Sequence, residues 1–190
     1  PMLTFATPTI LAGDKSLTSL IAHELAHSWS GNTVTNATWN DFWLNEGFTV
    51  YFERRIMEAL YGKPYAEMLS ELGFQDLVKT IQRLSNSPKD THLKLNLEGR
   101  NPDDGLTDIA YEKGYFFLKM IENAVGRPQF DDFVNQYFDD FAYKSITTED
   151  FLVYLKLNLP NFSFEKNRVN EWVYGAGLPV HAQVVNAKLF

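Results

Sequence analysis

The sequence contains no cysteine and only four histidines. Without cysteine there can be no disulfide bond and no thiolate metal site, so a tightly bound transition metal must be held by His, Asp or Glu. Long hydrophobic runs are also missing, because no segment approaches the roughly 18 to 20 apolar residues of a membrane-spanning helix. Residues 1–12 lack the basic start and apolar run of a secretion signal. These absences favour a soluble protein, which we expect in the cytoplasm.

Basic residues are outnumbered, since 17 Lys and Arg face 24 Asp and Glu and give a formal net charge of −7. Nucleic acids and anionic membranes are bound chiefly by clustered Lys and Arg. We therefore expect neither nucleic acid nor a membrane as a partner. The 190 residues, 45% of them hydrophobic, suffice to bury the core of one domain, and no repeat or linker divides them.

Apolar residues recur at helical spacing along most of the chain. Only Leu3–Leu11 combines β-branched and aromatic residues over a short run, and this predicts one strand that Pro8 confines to a sheet edge. Residues 85–108 are rich in Asn, Asp, Ser, Gly and Pro, which predicts a long loop. Thr147 and Asp150 have the spacing of a capping box. The other segments are predicted to be helices, from about 14 to 31, 41 to 61, 64 to 84, 109 to 125, 128 to 141, 148 to 157 and 165 to 174.

Two histidines lie four residues apart in the first predicted helix, in the run His23-Glu24-Leu25-Ala26-His27. Residues i and i+4 project from one face of a helix, so both imidazoles can bind one ion. Glu24 points about 100° away around the helix. It would therefore lie beside the ion, where it can take a proton from a metal-bound water. The alternative is a helix whose two histidines are ordinary surface or core residues.

A third ligand candidate weakens that alternative. Glu46 follows His27 after 18 intervening residues, at the start of the next predicted helix. A catalytic zinc ion takes three protein ligands and keeps a fourth position for water, and two His with one carboxylate form an established set. The sequence therefore predicts one zinc ion held by His23, His27 and Glu46. Glu53, two turns beyond Glu46 on the same helix face, is a candidate to orient one of these ligands.

The segments HELAHSW and WLNEGFTVYFE, with the 18-residue gap between the ligands, resemble the gluzincin zinc aminopeptidases, whose motif is H-E-x-x-H-(x18)-E. Within this family the chain is most similar to the leukotriene A4 hydrolase branch and its bacterial aminopeptidase relatives. The resemblance implies the helical lobe of a thermolysin-like zinc metallopeptidase catalytic domain, mostly α, with one N-terminal edge strand. It covers nearly the whole chain and includes PMLTFATPTILAGDKSL, TWNDFWLNEG, YEKG, FAYKSITTEDF and WVYGAGLP.

The resemblance also implies roles for single residues. Glu24 would be the general base, and Tyr111 would donate a hydrogen bond to the oxyanion. Asp103 matches an aspartate that contacts the first residue of a peptide and, in leukotriene A4 hydrolase, serves epoxide opening. Phe42 matches an aromatic residue that lines the substrate pocket. Without the resemblance, Tyr111 would be interpreted as a core residue. Phe42 is equally compatible with core packing, and Asp103 with a solvated loop.

The chain departs from the family pattern in three ways. The G-x-M-E-N motif, whose Glu binds the substrate amino group, would immediately precede Pro1 and is absent. The helical domain that follows the core in leukotriene A4 hydrolase is absent as well. Leu106 stands where that enzyme has a second tyrosine near the epoxide site. We therefore expect residues 1–190 to be the catalytic core of a longer multidomain chain, with the missing N- and C-terminal domains as its partners.

The expected function is zinc-dependent removal of N-terminal residues from peptides that have a free N-terminus. One alternative is an endopeptidase of thermolysin type, which would lack a glutamate that anchors the amine. A second is a lipid-epoxide hydrolase, against which Leu106 counts. The third is a non-catalytic interaction domain stabilised by zinc, which would have no reason to keep both Glu24 and Tyr111.

Overall fold

The protein was analysed as a computed structural model that describes Thr4, residues 6–180 and Ala182. Helices make up most of this part of the chain, which confirms the predicted mostly α lobe. The α-helices are α1 (Thr18–Ala26), α2 (Trp43–Tyr61), α3 (Lys63–Arg83), α4 (Gly114–Val125), α5 (Arg127–Asp140), α6 (Thr148–Asn158) and α7 (Val169–Tyr174).

Most helix boundaries follow from local sequence. Gly62 ends α2 with a φ of 86°, and Pro64 then lies in the first turn of α3, where its missing N–H costs nothing. The predicted capping box at the start of α6 is confirmed: Thr147 accepts from the N–H of Asp150, and the Asp150 carboxylate accepts from the N–H of Thr147.

Two helices are shorter than predicted. α1 ends at Ala26, before the expected end near Gly31, because the N–H of Trp29 bonds to the carbonyl of Ala26 at 3.0 Å, and such i−3 bonds tighten the last turn. α7 begins at Val169, four residues later than predicted, because Arg168 has a φ of 52°. That left-handed conformation cannot continue a right-handed helix.

The structure corrects the prediction of an N-terminal edge strand. Pro8–Ile10 forms a 3₁₀ turn, and the described residues before it pair with no strand; Leu3 and Phe5 lie outside the described residues. Proline fixes φ near −65° and is pre-organised to start such a turn. The strands of the described chain lie elsewhere, at β1 (Val34–Asn36) and β2 (Lys144–Ile146), and they pair in parallel with Val34 opposite Lys144.

The predicted loop over 85–108 contains 3₁₀ turns at Pro88–Thr91 and Pro102–Gly105. Between them, Leu93, Leu95 and Leu97 are all buried and alternate with more exposed residues, as in an extended segment with one inward face. The backbone N–H of Leu95 bonds to the carbonyl of Asn40 at 3.0 Å. The loop is therefore fastened to the segment that leads into α2.

The first half of α2 runs through the core. Phe48 stacks on Tyr137 with 5.2 Å between ring centroids, and Trp43 donates from Nε1 to the hydroxyl of Thr148 at 3.0 Å. Nearly every residue of this half is buried, including Trp43, Leu44, Glu46, Gly47, Phe48, Thr49, Val50 and Tyr51. A helix buried on all sides is a rigid support for the side chains that it carries.

A fully buried aspartate fixes the segment before α2. Asp41 accepts from Lys94 Nζ at 2.6 Å, from the N–H of Thr148 at 2.8 Å and from Thr38 Oγ1 at 2.6 Å. Burial by itself would raise the pKa of Asp41, but these donors hold it below the usual value.

In the described part of the chain no helix has the length and apolar character needed to cross a bilayer. The cytoplasmic location stays a prediction.

Candidate metal centre

The two predicted histidine ligands reach Glu46 because α1 and α2 pack side by side in opposite directions. His27, at the end of α1, contacts Asn45 at the start of α2. His23, one turn earlier on α1, contacts Glu53, two turns further along α2. The two helices are therefore antiparallel, and this arrangement brings Glu46 next to both imidazoles.

Three potential ligand atoms converge on one point. His23 Nε2 lies 3.2 Å and His27 Nε2 lies 3.7 Å from the same Glu46 oxygen, Oε2. One ligand atom from each of the three residues lies within 4.8 Å of the others. Glu46 Oε2 is buried and has no hydrogen-bond partner in the described part of the chain. A buried carboxylate oxygen without a hydrogen bond is costly, and a positive charge at this point, on a protonated His23 or a metal ion, would stabilise it.

The outer nitrogen of each imidazole is already occupied by an acceptor. His27 Nδ1 lies 3.0 Å from the carbonyl oxygen of Ser30 and 3.0 Å from Asn45 Oδ1. His23 Nδ1 lies 3.1 Å from Glu53 Oε2. Carbonyl and carboxylate oxygens only accept, so both Nδ1 atoms must carry the proton. Both Nε2 lone pairs are therefore left for a metal, and this tautomer is the one that metal-binding histidines usually adopt.

This donor set fits zinc. Two imidazole nitrogens and one carboxylate oxygen are the protein ligands of one established type of catalytic zinc site, and thiolates are not required. Calcium and magnesium prefer sets made of oxygen atoms alone. His23, His27 and Glu46 are the residues that could hold the ion.

A proton competes with the metal at His23. Burial disfavours the charged imidazole, but the carboxylates of Glu46 and Glu53 outweigh this and raise the pKa of His23 to about 9. The imidazole must lose that proton to become a ligand. The same carboxylates that attract a proton also favour a divalent cation, so the pKa shift and the ligand geometry have one physical cause.

A cavity of about 400 Å³ opens beside His23, one of the three candidate ligands. Glu24 lies half-buried in the wall of this cavity, and its side chain makes no hydrogen bond within the described part of the chain. Its carboxylate is therefore free to act on a molecule in the cavity. The wall is formed by Ser19, Leu20, His23, Glu24, Glu53 and Tyr111.

Tyr111 lies in the wall of the same cavity. It is carried by a π-helical turn over Ile109–Lys113 that runs directly into α4. Its ring stacks against His23 with 6.2 Å between centroids. Burial, followed by the charges of Glu46 and Glu24, raises the pKa of Tyr111 well above its usual value. The phenol is therefore protonated at neutral pH and can donate a hydrogen bond.

The other predicted site residues lie further out. Phe42 is 7% exposed and packs edge-on against the ring of Tyr111 at 6.2 Å, so it belongs to the core and also supports a wall of the cavity. Asp103 is exposed in the turn Pro102–Gly105, and its side chain makes no described contact with the ligands. Leu106 is 43% exposed. Roles for Phe42 and Asp103 in substrate binding stay predictions.

Several contacts of the site were not anticipated from the sequence. Asn45 and Thr49 both approach His27 Nδ1, and Thr49 also contacts the hydroxyl of Ser30 at 2.6 Å. Asn45 and Thr49 are four residues apart, so polar residues at i and i+4 beside Glu46 were the signal that could have revealed them. The contacts of Glu112 and Lys113, next to Tyr111, could not have been found from sequence spacing, because their partners come from distant segments.

The chain is similar in sequence to known peptidases. A leukotriene A-4 hydrolase homolog of Botryotinia fuckeliana is 42% identical over 188 residues, which cover 94% of this chain and 28% of that protein. Leucine aminopeptidase 2 of Emericella nidulans is 44% identical over 185 residues, which cover 94% of this chain and 30% of that protein. The chain thus spans less than a third of the length of these curated relatives.

Solved structures show the same likeness. Yeast leukotriene A4 hydrolase in complex with bestatin superposes with a TM-score of 0.87 at 43% identity, over 94% of this chain and 29% of that one. A mutant M1 zinc metallopeptidase of Deinococcus radiodurans, bound to a Tyr-Ser-Ala substrate, gives a TM-score of 0.67 at 28% identity, over 85% of this chain and 34% of that one.

The model of the peptidase family M1 domain matches residues 2–172. This match contains both helices of the candidate metal centre and the turn that carries Tyr111. Since it also covers most of the chain, the chain belongs to peptidase family M1.

Proposed function

We propose that these residues form the catalytic core of a zinc aminopeptidase, which removes N-terminal residues from peptides with a free N-terminus. The observation that carries the proposal is the convergence of His23, His27 and Glu46 on one point, with His23 also lining a cavity that contains Glu24 and Tyr111. Metal binding alone would not require Glu24 or Tyr111. Their presence in the same cavity favours catalysis over a purely structural zinc site.

In this proposal a zinc ion held by His23, His27 and Glu46 supplies Lewis-acid chemistry, which polarises a carbonyl and makes water more acidic. Glu24 accepts a proton from the attacking water and later delivers it to the leaving amine, as a general base and then a general acid. Tyr111 donates its phenolic hydrogen to the oxygen that becomes negatively charged. Such a donor acts best when it is already oriented and partly shielded from water.

The surrounding residues keep the imidazoles in the reactive orientation. Glu53 fixes His23, and Ser30, Asn45 and Thr49 fix His27. These contacts hold the proton on Nδ1, so neither ring can turn a protonated nitrogen towards the metal. The two imidazoles are therefore held in place by contacts that do not depend on the substrate.

Peptide substrates are supported by two comparisons. Several relatives are named leucine aminopeptidase 2, and the similar M1 peptidase of Deinococcus radiodurans is bound to a Tyr-Ser-Ala substrate. Because the chain covers 28–30% of the curated relatives, we propose that it acts within a longer polypeptide. That polypeptide would supply a carboxylate for the substrate ammonium group. Asp103 and Phe42 are proposed to contact the first residues of the peptide.

A lipid-epoxide hydrolase is the second candidate, since one relative is a leukotriene A-4 hydrolase homolog. Leu106 stands where the family resemblance places a second tyrosine near the epoxide site, and leucine has no hydroxyl group. The groups proposed to attack and cleave a peptide bond, namely the metal ligands, Glu24 and Tyr111, are all present in this chain. The peptidase reading is therefore the better supported of the two.

The test compares leucyl anilide with N-acetyl-leucyl anilide, using protein expressed from the complete gene and loaded with zinc. An aminopeptidase cleaves only the free-amine substrate, because acetylation removes the ammonium group that must be anchored. Cleavage of internal bonds in an N-acetylated peptide would identify an endopeptidase. Zinc binding without hydrolysis of any peptide, in a folded protein, would favour an interaction domain.

The role of Asp103 needs a separate comparison. Asp103→Ala should change the ranking of kcat/KM across a panel of aminoacyl anilides, whereas Glu98→Ala, an exposed acid in the same loop, should leave the ranking unchanged. An unchanged ranking in both variants would make Asp103 an ordinary solvated residue.

A further inference from the structure

Lys113 is an unusual residue that the proposed mechanism does not use. Its side chain is fully buried, and Nζ donates to the carbonyl oxygens of Thr91 at 2.7 Å and Gly175 at 2.9 Å. No carboxylate pairs with it in the described part of the chain. Burying an unpaired ammonium group costs several kcal/mol, and an apolar side chain would fill the same space. A role beyond packing is therefore to be expected.

The two carbonyls belong to segments far apart in the sequence. Thr91 ends the 3₁₀ turn of the long loop, and Gly175 follows α7. The same two segments meet again where the N–H of Gly177 donates to Thr91 Oγ1 at 2.7 Å. Lys113 thus closes a three-way junction between the loop, the end of α7 and the π-turn.

The π-turn needs such external support. A π-turn is a rare conformation that occurs mostly as a single turn within an α-helix and is frequent at functional sites. Tyr111 lies at its centre, two residues before Lys113. Closing this wide turn to an ordinary α-turn would move Tyr111 relative to the metal ligands.

The neighbours of Lys113 support the π-turn from other directions. The partly buried carboxylate of Glu112 accepts from Arg54 Nη2 at 2.7 Å. Gly114 touches Gly47, the residue after Glu46, so closely that a Cβ atom on Gly47 would lie 2.9 Å from Gly114 Cα. The α2 side of the turn is therefore fixed by backbone contact, and Lys113 is the contact that fixes the side facing the loop and α7.

We propose that Lys113 is a positioning residue that holds the π-turn open and so keeps Tyr111 at the distance from the metal ligands that an oxyanion donor needs. This inference rests on the proposed function for its catalytic consequence. The position of Tyr111 itself can be measured without any catalytic assay.

The structural test places 3-fluorotyrosine at position 111 and records its ¹⁹F resonance in the wild type, in Lys113→Met and in Lys119→Met. Lys119 lies on α4, the helix that follows the π-turn, and is paired with Glu122. Its substitution therefore controls for the loss of a nearby lysine. The resonance should shift or broaden in Lys113→Met and stay unchanged in Lys119→Met. An unchanged resonance in Lys113→Met overturns the proposal, whatever the enzyme activity.

The kinetic test uses the same variants in the zinc-loaded protein. Lys113→Met should lower kcat about tenfold or more with KM and zinc content unchanged, because small displacements of a catalytic group are costly. The loss should disappear in a Tyr111→Phe background, since Lys113 acts only through that hydroxyl. An equal loss in both backgrounds would mean general destabilisation and would contradict the proposal.

Two further outcomes are decisive. If Lys113→Met does not fold, Lys113→Gln takes its place, because glutamine keeps a hydrogen-bond donor without the charge. If neither variant folds, Lys113 is needed for folding and the proposal fails. If the wild type hydrolyses no peptide, the proposed function fails, while the ¹⁹F comparison still decides the position of Tyr111.

Discussion

The histidine side and the tyrosine side of the site are held in place by different means. On the histidine side, Glu53 and Asn45 hold the imidazoles through contacts between two adjacent helices. On the tyrosine side, Tyr111 sits on a π-turn whose neighbours contact α2, the long loop and the end of α7. Contacts of the first kind should control metal binding, and contacts of the second kind should control turnover. The two functions should therefore be separable by substitution.

The largest effect is expected on the histidine side. Glu46→Ala should reduce bound zinc from about one ion per chain to near zero, because it leaves two of the three ligands that a catalytic site needs. Elemental analysis after dialysis measures this. Glu58→Ala is the control. Glu58 lies on α2, like Glu46, but its carboxylate pairs with Arg127 of α5, so this variant should keep its zinc. Undiminished zinc in Glu46→Ala would exclude Glu46 as a ligand.

The matching substitution on the tyrosine side should spare the metal. Tyr111→Phe is expected to keep zinc and KM and to lower kcat by ~10² to 10³, the usual effect of removing one oxyanion donor. Tyr115→Phe removes a hydroxyl four residues away that contacts Ser70, and its kcat should stay near the wild-type value. Loss of zinc in Tyr111→Phe would show that the two sides are not separable.

A smaller effect should distinguish the two imidazoles. Glu53→Ala should weaken zinc binding about 10- to 100-fold, as expected when the partner of a metal-binding histidine is removed. Asn45→Ala should weaken it less, because His27 Nδ1 keeps the carbonyl of Ser30 at 3.0 Å. Competition with a fluorescent zinc chelator gives both affinities. The reverse order would mean that the Ser30 carbonyl does not hold His27.

The smallest expected effect concerns stability on the tyrosine side. Burial lowers the pKa of Lys113 to about 7, whereas an unfolded chain keeps a lysine pKa near 10.4. Between these values the unfolded chain binds more protons than the folded chain, so the free energy of unfolding rises with pH. The contribution of Lys113 from pH 7 to 8.5 should be about 1.5 kcal/mol.

Urea titrations of the wild type and Lys113→Met at both pH values and equal zinc occupancy isolate this contribution. Other groups titrate equally in the two proteins, including His23, whose raised pKa makes stability fall as pH rises. From pH 7 to 8.5 the free energy of unfolding should therefore rise by about 1.5 kcal/mol more in the wild type than in Lys113→Met. An equal pH dependence in the two proteins would show that burial does not lower the pKa of Lys113.

The histidine side could be predicted from the sequence because its geometry is local. A spacing of four residues on a helix defines His23 and His27, and one short connection brings Glu46 opposite them. Helices with regular apolar spacing were predicted to within a few residues for the same reason. The shorter end of α1 depended on backbone turns after Ala26, which apolar spacing does not report.

The tyrosine side could not be derived in the same way. Tyr111 was identified through the family resemblance, and nothing in its spacing indicated a π-turn. Thr91, Lys113 and Gly175 are distant in sequence, so their junction depends on tertiary packing. The N-terminal strand was predicted from residue preference alone, and such preference is easily overridden by local context, here the 3₁₀ turn that begins at Pro8. The parallel pairing of β1 with β2 was missed because each strand has only three residues.

Glu24→Gln tests the central claim most directly, because Glu24 lines the cavity together with His23 and Tyr111 and its side chain makes no hydrogen bond in the described part of the chain. The measurement is zinc content and kcat for the same preparation of protein expressed from the complete gene. We predict about one zinc per chain and a kcat lower by ~10² to 10⁴, the usual contribution of a general base. Wild-type turnover in a zinc-loaded Glu24→Gln protein would contradict the account.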